Sequence, residues 1–259
     1  MIYEPRGKAR EYSPLAVNLY TGCGHQCSYC YVPRVLRMDR YEFDHNTKAR
    51  ERSIEQLIKS AKKFTGTKNQ ILMSFTTDPY NPLNDKLQLT IEALKIFLNY
   101  KIPVAILTKS GMKPLKDLSI IKLFGKHIKV GASLTYDNDN DSKRIERGAA
   151  LPSERLEMLK QFHLNGVRTW VSFEPIMSTE QTINLIERSI EFVDEYQFGK
   201  LSGDTQQRDW KSFFNRIVPM LRINGKLFYI KKTLQAEAPK GLLCDQEINM
   251  DYLNVPSFK

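Results

Sequence analysis

Apolar runs and amphipathic stretches alternate along the whole chain. Seven short runs read as buried strands: residues 15–20, 71–75, 104–107, 128–134, 167–173, 196–201 and 226–230. Between them the apolar positions recur at helical spacing. Ile54, Leu57, Ile58, Ala61 and Phe64 share one face, Leu87, Ile91, Leu94 and Leu98 a second, and Ile183, Ile186, Ile190 and Val193 a third. The clearest helix carries Trp210, Phe213, Phe214, Ile217, Val218 and Leu221 at the i, i+3, i+4, i+7 positions. Pro152, Ser153 and Glu154 open another helix that runs to Leu164, with Gly166 as its stop.

Repeated strand-then-helix units predict a parallel sheet with helices outside it. Six such units and a last strand fall short of the eight of a closed barrel. The expected fold is therefore α/β, an open, partial (βα)6 TIM-like barrel with a final extra strand. No Pro/Gly/Ser-rich linker interrupts the pattern. One domain over residues 1–259 is expected, with a core at about 13–235 and a C-terminal extension over 236–259. Reactive side chains then belong on the loops after the strand C-termini.

Composition narrows the class. Hydrophobic residues make up 41% of the 259 positions, enough for a full core. The longest apolar runs are far too short to span a bilayer, and the charged start lacks the apolar core of a signal peptide. A cytoplasmic protein is expected. Lys and Arg number 39 against 29 acids, a formal charge of +10 that favours a polyanion, nucleic acid above all.

The candidate chemistry lies in Cys23-Gly24-His25-Gln26-Cys27-Ser28-Tyr29-Cys30, directly after the first strand. Three of the four cysteines fall within eight residues, spaced C-x3-C-x2-C, which points to metal rather than disulfides. Three thiolates can each hold one iron of a [4Fe–4S] cubane and leave the fourth iron open to a small molecule. The rival is zinc, with His25 or His45 as a fourth ligand. No second metal-ligand pair follows downstream. A second cluster, as in a methylthiotransferase, fails on counting, because only Cys244 remains.

Two other patterns carry weaker signals. Asp137, Asp139 and Asp141 suggest a calcium loop, but Ser142 and Gly148 stand where the turn glycine and the bidentate glutamate belong. Arg34, Arg37, Arg40, Lys48, Arg50 and Arg52, with Tyr31 and Tyr41 among them, suit a phosphate backbone and unstacked bases, or equally a solvated face. Glu174, at a strand end before Pro175, is a further residue expected to face the site or to serve as a structural hydrogen-bonding group.

The cysteine segment, continuing Tyr31-Val32-Pro33, resembles the radical SAM superfamily and, more narrowly, the spore photoproduct lyase-like family. The resemblance runs on through Ser74-Phe75-Thr76-Thr77-Asp78-Pro79-Tyr80, Leu107-Thr108-Lys109-Ser110, Ala132-Ser133-Leu134, Val171-Ser172-Phe173-Glu174-Pro175, Gly199-Lys200-Leu201 and Tyr229-Ile230-Lys231. It implies that Cys23, Cys27 and Cys30 bind a [4Fe–4S] cluster that cleaves S-adenosylmethionine to a 5′-deoxyadenosyl radical. It further implies that Tyr29 meets the adenine through its backbone, Thr77 the methionine end, Lys109 the carboxylate and Ser133 the ribose. Tyr31 would take part in hydrogen transfer. The lyase's hydrogen-donating cysteine matches Phe75 here, whose ring has no hydrogen weak enough to give, so Cys244 is the one spare thiol for that role. The expected partners are a nucleic acid substrate and an external electron donor of flavodoxin or ferredoxin type, with the chain acting as a monomer. A small metabolite or peptide is the alternative substrate. A zinc-bound nucleic-acid-binding module is the alternative of another class.

Overall fold

The computed structural model describes residues 1–203 and 206–258. Its central sheet has strands β1 (Leu15–Val17), β2 (Ile71–Met73), β3 (Val104–Thr108), β4 (Ile128–Ser133), β5 (Arg168–Ile176), β6 (Glu195–Lys200) and β7 (Leu227–Ile230). Every neighbouring pair is parallel and spatial order follows chain order. The crossovers carry helices α1 (Ser53–Lys63), α2 (Leu89–Asn99), α3 (Leu118–Leu123), α4 (Asp139–Ile145), α5 (Pro152–Leu164), α6 (Thr179–Ser189) and α7 (Trp210–Ile223). This is the open partial barrel that the alternating pattern predicts. Among the described residues no helix is long and apolar enough to cross a membrane.

Side chains alternate across each strand, and the two faces bury different chemistry. Met73, Val104, Ile106, Val130, Val171, Phe173 and Phe198 pack outward in one cluster with Leu57, Phe97, Leu159, Ile186 and Phe213 of the helices. The alternate positions Leu72, Ala105 and Trp170 form a separate, small inner cluster. Trp170 fills the lumen and donates its indole N–H to the Ile106 carbonyl at 2.9 Å. Gly131 on β4 makes the space, since a Cβ there would stand 2.3 Å from that indole nitrogen. Beneath it the fully buried Lys129 ammonium meets Glu195 and the Leu253 carbonyl, with Arg168 2.7 Å from Glu195. Burial pushes the Lys129 ammonium down to about 8, against the pull of Glu195. The C-terminal segment thus closes the lower end of the barrel. Val255 N–H donates to Gln70 (3.0 Å), and the Phe258 ring stacks on His127 at 4.0 Å.

Some expectations shift in detail. The run 15–20 breaks after Val17, and Tyr20–Thr21 pairs instead with Lys48–Ala49 in a two-stranded antiparallel ladder. The break falls at buried Asn18, whose Oδ1 accepts the N–H groups of Phe75 and Thr76, both at 2.9 Å. Leu87 lies outside α2 and is exposed, because Gln88 takes a left-handed backbone before the helix begins. Ile58 is also exposed, so α1 buries a narrower stripe centred on Leu57 and Ala61. The unpaired edge of β1 is blunted by a bridge in which Tyr3 and Ala16 exchange N–H···O bonds of 3.0 and 2.9 Å.

The close approach at Gly131 generates a prediction. Gly131→Ala should displace Trp170 and cost about 1–3 kcal/mol, read as a lower urea midpoint. An unchanged midpoint would show that the lumen has slack the packing does not suggest.

Candidate active site

The cysteine segment leaves the top of the barrel after β1 and returns through the Thr21–Lys48 ladder. Within it Cys30 N–H donates to Cys27 O at 3.0 Å, and Cys23 N–H to Phe43 O at 2.9 Å. The Arg40 guanidinium donates to the carbonyls of Cys27 (2.7 Å) and Cys30 (3.4 Å), and its Nε pairs with Asp44. Residues after β4 clamp the segment from the far side. Ser28 N–H donates to Ile145 O, and Gly148 N–H to His25 O, both at 2.9 Å. All three cysteines line one cavity of about 910 Å³ at the C-terminal ends of the strands.

Two buried carboxylates fix this end of the barrel. Asp78, after β2, accepts from Thr108 Oγ1 (2.8 Å), Lys109 N–H (2.7 Å), Ser110 Oγ (3.1 Å) and Tyr80 N–H (2.8 Å). Its Oδ2 also stands 3.5 Å from His25 Nδ1, and Ser110 Oγ lies 3.2 Å from His25 Nε2. One side chain therefore ties the loop after β3 to the cysteine segment. Glu146, after α4, takes the Tyr29 hydroxyl, the Arg155 guanidinium (2.7 Å) and the Lys109 ammonium (3.1 Å). Burial opposes its charge, but Lys109 and Arg155 outweigh burial and hold the carboxyl far below the usual range.

The sequence-predicted residues separate into those that reach the cavity and those that do not. Tyr29, Tyr31, Phe75, Thr77, Lys109 and Ser133 all line it. The Tyr29 ring lies under the Lys109 ammonium at 5.7 Å, and its hydroxyl also meets Thr135 at 3.1 Å. The Thr77 hydroxyl is spent on the Gly22 carbonyl at 2.6 Å. Tyr31 is half-exposed at the mouth. Cys244 is not brought to the cavity. It precedes the short helix Asp245–Ile248, where its N–H donates to Glu247, and that helix packs against β7. Glu247 borders the N-terminal end of that strand with Leu227, at the opposite end of the sheet from the cysteines.

The aspartate run forms no ion loop. Asn138 caps α4 through Asp141 N–H (2.9 Å), while Asp137 and Asp141 accept from Asn184 and Gln181. The basic cluster also disperses. Arg40 serves the cysteine loop, Arg52 pairs with Glu55, and Arg34 faces the cavity mouth beside Arg6, Lys8 and Lys200.

Sequence reasoning passed over several groups. Asp78, Glu146 and Arg155 carry no local spacing that marks them as site residues. Ser74 and Thr76 line the cavity with buried hydroxyls that have no hydrogen-bond partner among the described residues. Tyr12 and Lys231 line it from the first and last parts of the chain. A buried hydroxyl without a protein partner is costly and calls for one from ordered water or a ligand.

These observations bear on the metal. A mononuclear zinc ion needs four ligands converging on one point. Among the described residues no three His, Cys, Asp or Glu side chains converge in that way. His25 is committed to Asp78 and Ser110, and His45 stacks on Tyr41 with its Nδ1 on the Tyr41 carbonyl. A cubane asks less, because each thiolate serves a separate iron. Burial pushes the Cys23 thiol well up and the Cys27 thiol to about 12. A bound cationic centre is what would hold such thiols as thiolates. The donor set fits a [4Fe–4S] cluster.

Comparison with known proteins agrees. The family model described as Radical SAM superfamily matches residues 17–193. An uncharacterized protein of Methanocaldococcus jannaschii is 26% identical over 204 residues, 78% of this chain and 76% of its own length. Among solved structures, spore photoproduct lyase with bound AdoMet and dinucleoside spore photoproduct superposes with a TM-score of 0.59 at 16% identity. That match covers 73% of this chain and 57% of the lyase chain. Streptococcus suis SuiB bound to its precursor peptide SuiA gives 0.62 at 14% identity, over 83% of this chain and 48% of SuiB. At these identities the two structures speak for the fold alone, and the chain spans only about half of each, 57% of the lyase and 48% of SuiB.

The Glu146 network has a pH signature. Its folded-state pKa lies below the ordinary 4.5, so its contribution to stability is complete above that pH and drains away as pH falls. Glu146→Gln should therefore flatten the fall of unfolding free energy between about pH 5 and pH 3. Parallel wild-type and variant curves over that interval would remove the carboxylate from the account.

Proposed function

The chain belongs to the radical SAM superfamily, and we propose that the substrate it brings to that chemistry is a nucleic acid, acted on as by a lesion-repair lyase or a base modifier. It is a radical SAM enzyme whose cofactors are a [4Fe–4S] cluster and S-adenosylmethionine, and it needs an electron donor as well as a substrate. When bound, this pair supplies a 5′-deoxyadenosyl radical able to remove a hydrogen atom from a C–H bond. The observation that carries the reading is that the three cysteines and a mouth of basic side chains, Arg6, Lys8, Arg34 and Lys200, belong to the same cavity.

In this reading Cys23, Cys27 and Cys30 hold the cluster, and Arg40 keeps their loop rigid. Lys109 binds the carboxylate of S-adenosylmethionine as a point charge, oriented by Glu146. The free hydroxyls of Ser74 and Thr76 take its amine beside Thr77, while Ser133 meets the ribose and the Tyr29 backbone the adenine. The basic mouth attracts phosphates, in keeping with a formal charge of +10. Phe75, edge-on to Tyr12 at 5.5 Å, offers no hydrogen atom, and Cys244 stands at the other end of the sheet. Hydrogen transfer at the substrate therefore falls to Tyr31. Electrons come from a flavodoxin- or ferredoxin-type protein, and the chain works as a monomeric unit.

A peptide or small metabolite is the second reading, favoured by the likeness to SuiB with its peptide. Binding to single-stranded oligonucleotides discriminates the two. The nucleic-acid reading expects log Kd to rise linearly with log salt, with a slope of about 0.7 per phosphate contacted. Absent or salt-insensitive binding would select the alternative.

The chemistry has its own test. Anaerobically reconstituted protein with dithionite and S-adenosylmethionine should release 5′-deoxyadenosine, and Cys27→Ala should abolish the release. Unchanged release from that variant would refute the cluster assignment.

A further inference from the structure

On the wall formed by β5, β6 and β7, the cavity carries a second constellation of buried and half-buried polar side chains. Glu174 ends the inner row of β5, and its Oε2 receives both the Lys231 ammonium and the Tyr12 hydroxyl. Lys231 follows β7, is 2% exposed, and sits 3.4 Å over the Tyr12 ring. The Tyr12 hydroxyl also meets Ser172 Oγ at 3.0 Å. Gly199 on β6 lets the carboxylate lie flat, because a Cβ there would stand 2.9 Å from its Cδ and 3.0 Å from Oε1. Glu11 anchors the arrangement from behind by accepting from Tyr229 (2.7 Å) and from Lys232 N–H (2.9 Å).

The two oxygens of Glu174 are therefore unequal. Oε2 receives two donors, the buried Lys231 ammonium and the half-buried Tyr12 hydroxyl. Oε1 takes no hydrogen bond from the described residues, while the side chain is 23% exposed in a cavity it shares with the cysteines. Residues from four separate parts of the chain converge to hold one carboxylate so that one oxygen stays free. A surface ion pair would not need a lysine with 2% exposure, nor a glycine under the carboxylate.

We propose that Glu174 is the substrate-specificity residue of this site, accepting at Oε1 a hydrogen bond from an N–H on the pairing edge of an unstacked nucleobase. Lys231 and Tyr12 are its positioning residues. The inference rests on the nucleic-acid reading and deepens it. A base drawn out of its stack is read by hydrogen bonds to its Watson–Crick edge, and each of the four bases presents an N–H there. A carboxylate, which only accepts, selects that N–H and rejects a nitrogen whose every hydrogen has been replaced by alkyl. Loss of a hydrogen bond to a charged group typically weakens binding about tenfold or more, and the discrimination should be of that size.

The test uses reconstituted protein and four single-stranded homo-oligodeoxynucleotides, each paired with a counterpart alkylated until no pairing-edge N–H is left to donate: N1,N2,N2-trimethyl for dG, N3-methyl for dT, N6,N6-dimethyl for dA and N4,N4-dimethyl for dC. For at least one base the wild type should bind the unmodified strand about tenfold or more tightly than the alkylated one. The double variant Glu174→Leu with Lys231→Met removes carboxylate and ammonium together, leaving no unpaired buried charge. It should keep its melting temperature and iron content and bind both strands of the pair alike. Equal wild-type affinity within all four pairs, or discrimination that survives in the double variant, overturns the proposal. If no strand binds at all, the nucleic-acid reading fails and takes this inference with it. Should the double variant fail to fold, Tyr12→Phe supplies the second measurement. It releases one donor from Oε2 and should weaken discrimination between the two strands of the pair, and unchanged discrimination overturns the positioning role.

Discussion

The Asp78 carboxylate is the constraint on which the upper end of this barrel depends. It is almost fully buried, yet it accepts from the loops after two strands and stands against His25 inside the cysteine segment. A loop of eight residues with three reactive side chains has little apolar surface of its own to fold around. Its geometry must be imposed from outside. Asp78 does so from one side, Glu146 through Tyr29 from another, and Arg40 through the Cys27 and Cys30 carbonyls from a third. These contacts hold the segment so that all three cysteines line one cavity, the kind of support a functional site needs.

The same division of labour runs through the whole sheet. Its outer face is continuous hydrocarbon against the helices, and this carries the fold. Its inner face alternates a small apolar plug around Trp170 with charged groups above and below. Below, Lys129, Glu195 and Arg168 are sealed by the C-terminal segment. Above, Glu146 with Lys109 and Arg155, and Glu174 with Lys231, line the open end. Buried pairs of this kind contribute little net stability but lose several kcal/mol when one partner is removed. They therefore fix geometry more than they hold the chain folded. A site that must keep a cofactor and a substrate in register has use for that rigidity.

How far the sequence discloses this can be judged from particular residues. The strands and their order were legible because each is a short apolar run bounded by polar segments, and helix α7 because its six large side chains keep strict helical spacing. The cysteines were legible because their spacing is local. Asp78 and Glu146 were not, since what makes them important is which distant residues reach them: Ser110 lies 32 positions from Asp78, and Tyr29 lies 117 from Glu146. The same holds for Asn18, which breaks an apolar run to satisfy the turn after β2, and for Tyr12, whose partner Glu174 is 162 residues away. Thr77 was legible as a residue of the site, but its hydroxyl is committed to Gly22, and the unpartnered hydroxyls belong to its neighbours. Local spacing announces ligands; long-range hydrogen bonds decide which hydroxyl remains free.

The proposed chemistry requires three thiols to serve a cluster that keeps one iron open to S-adenosylmethionine. Low-temperature electron paramagnetic resonance of the anaerobically reconstituted, dithionite-reduced protein tests this most directly. A sample with about four irons per chain should give the signal of a reduced [4Fe–4S] centre, and its g values should shift when S-adenosylmethionine is added. A signal indifferent to S-adenosylmethionine, or a colourless protein carrying zinc, would contradict the account.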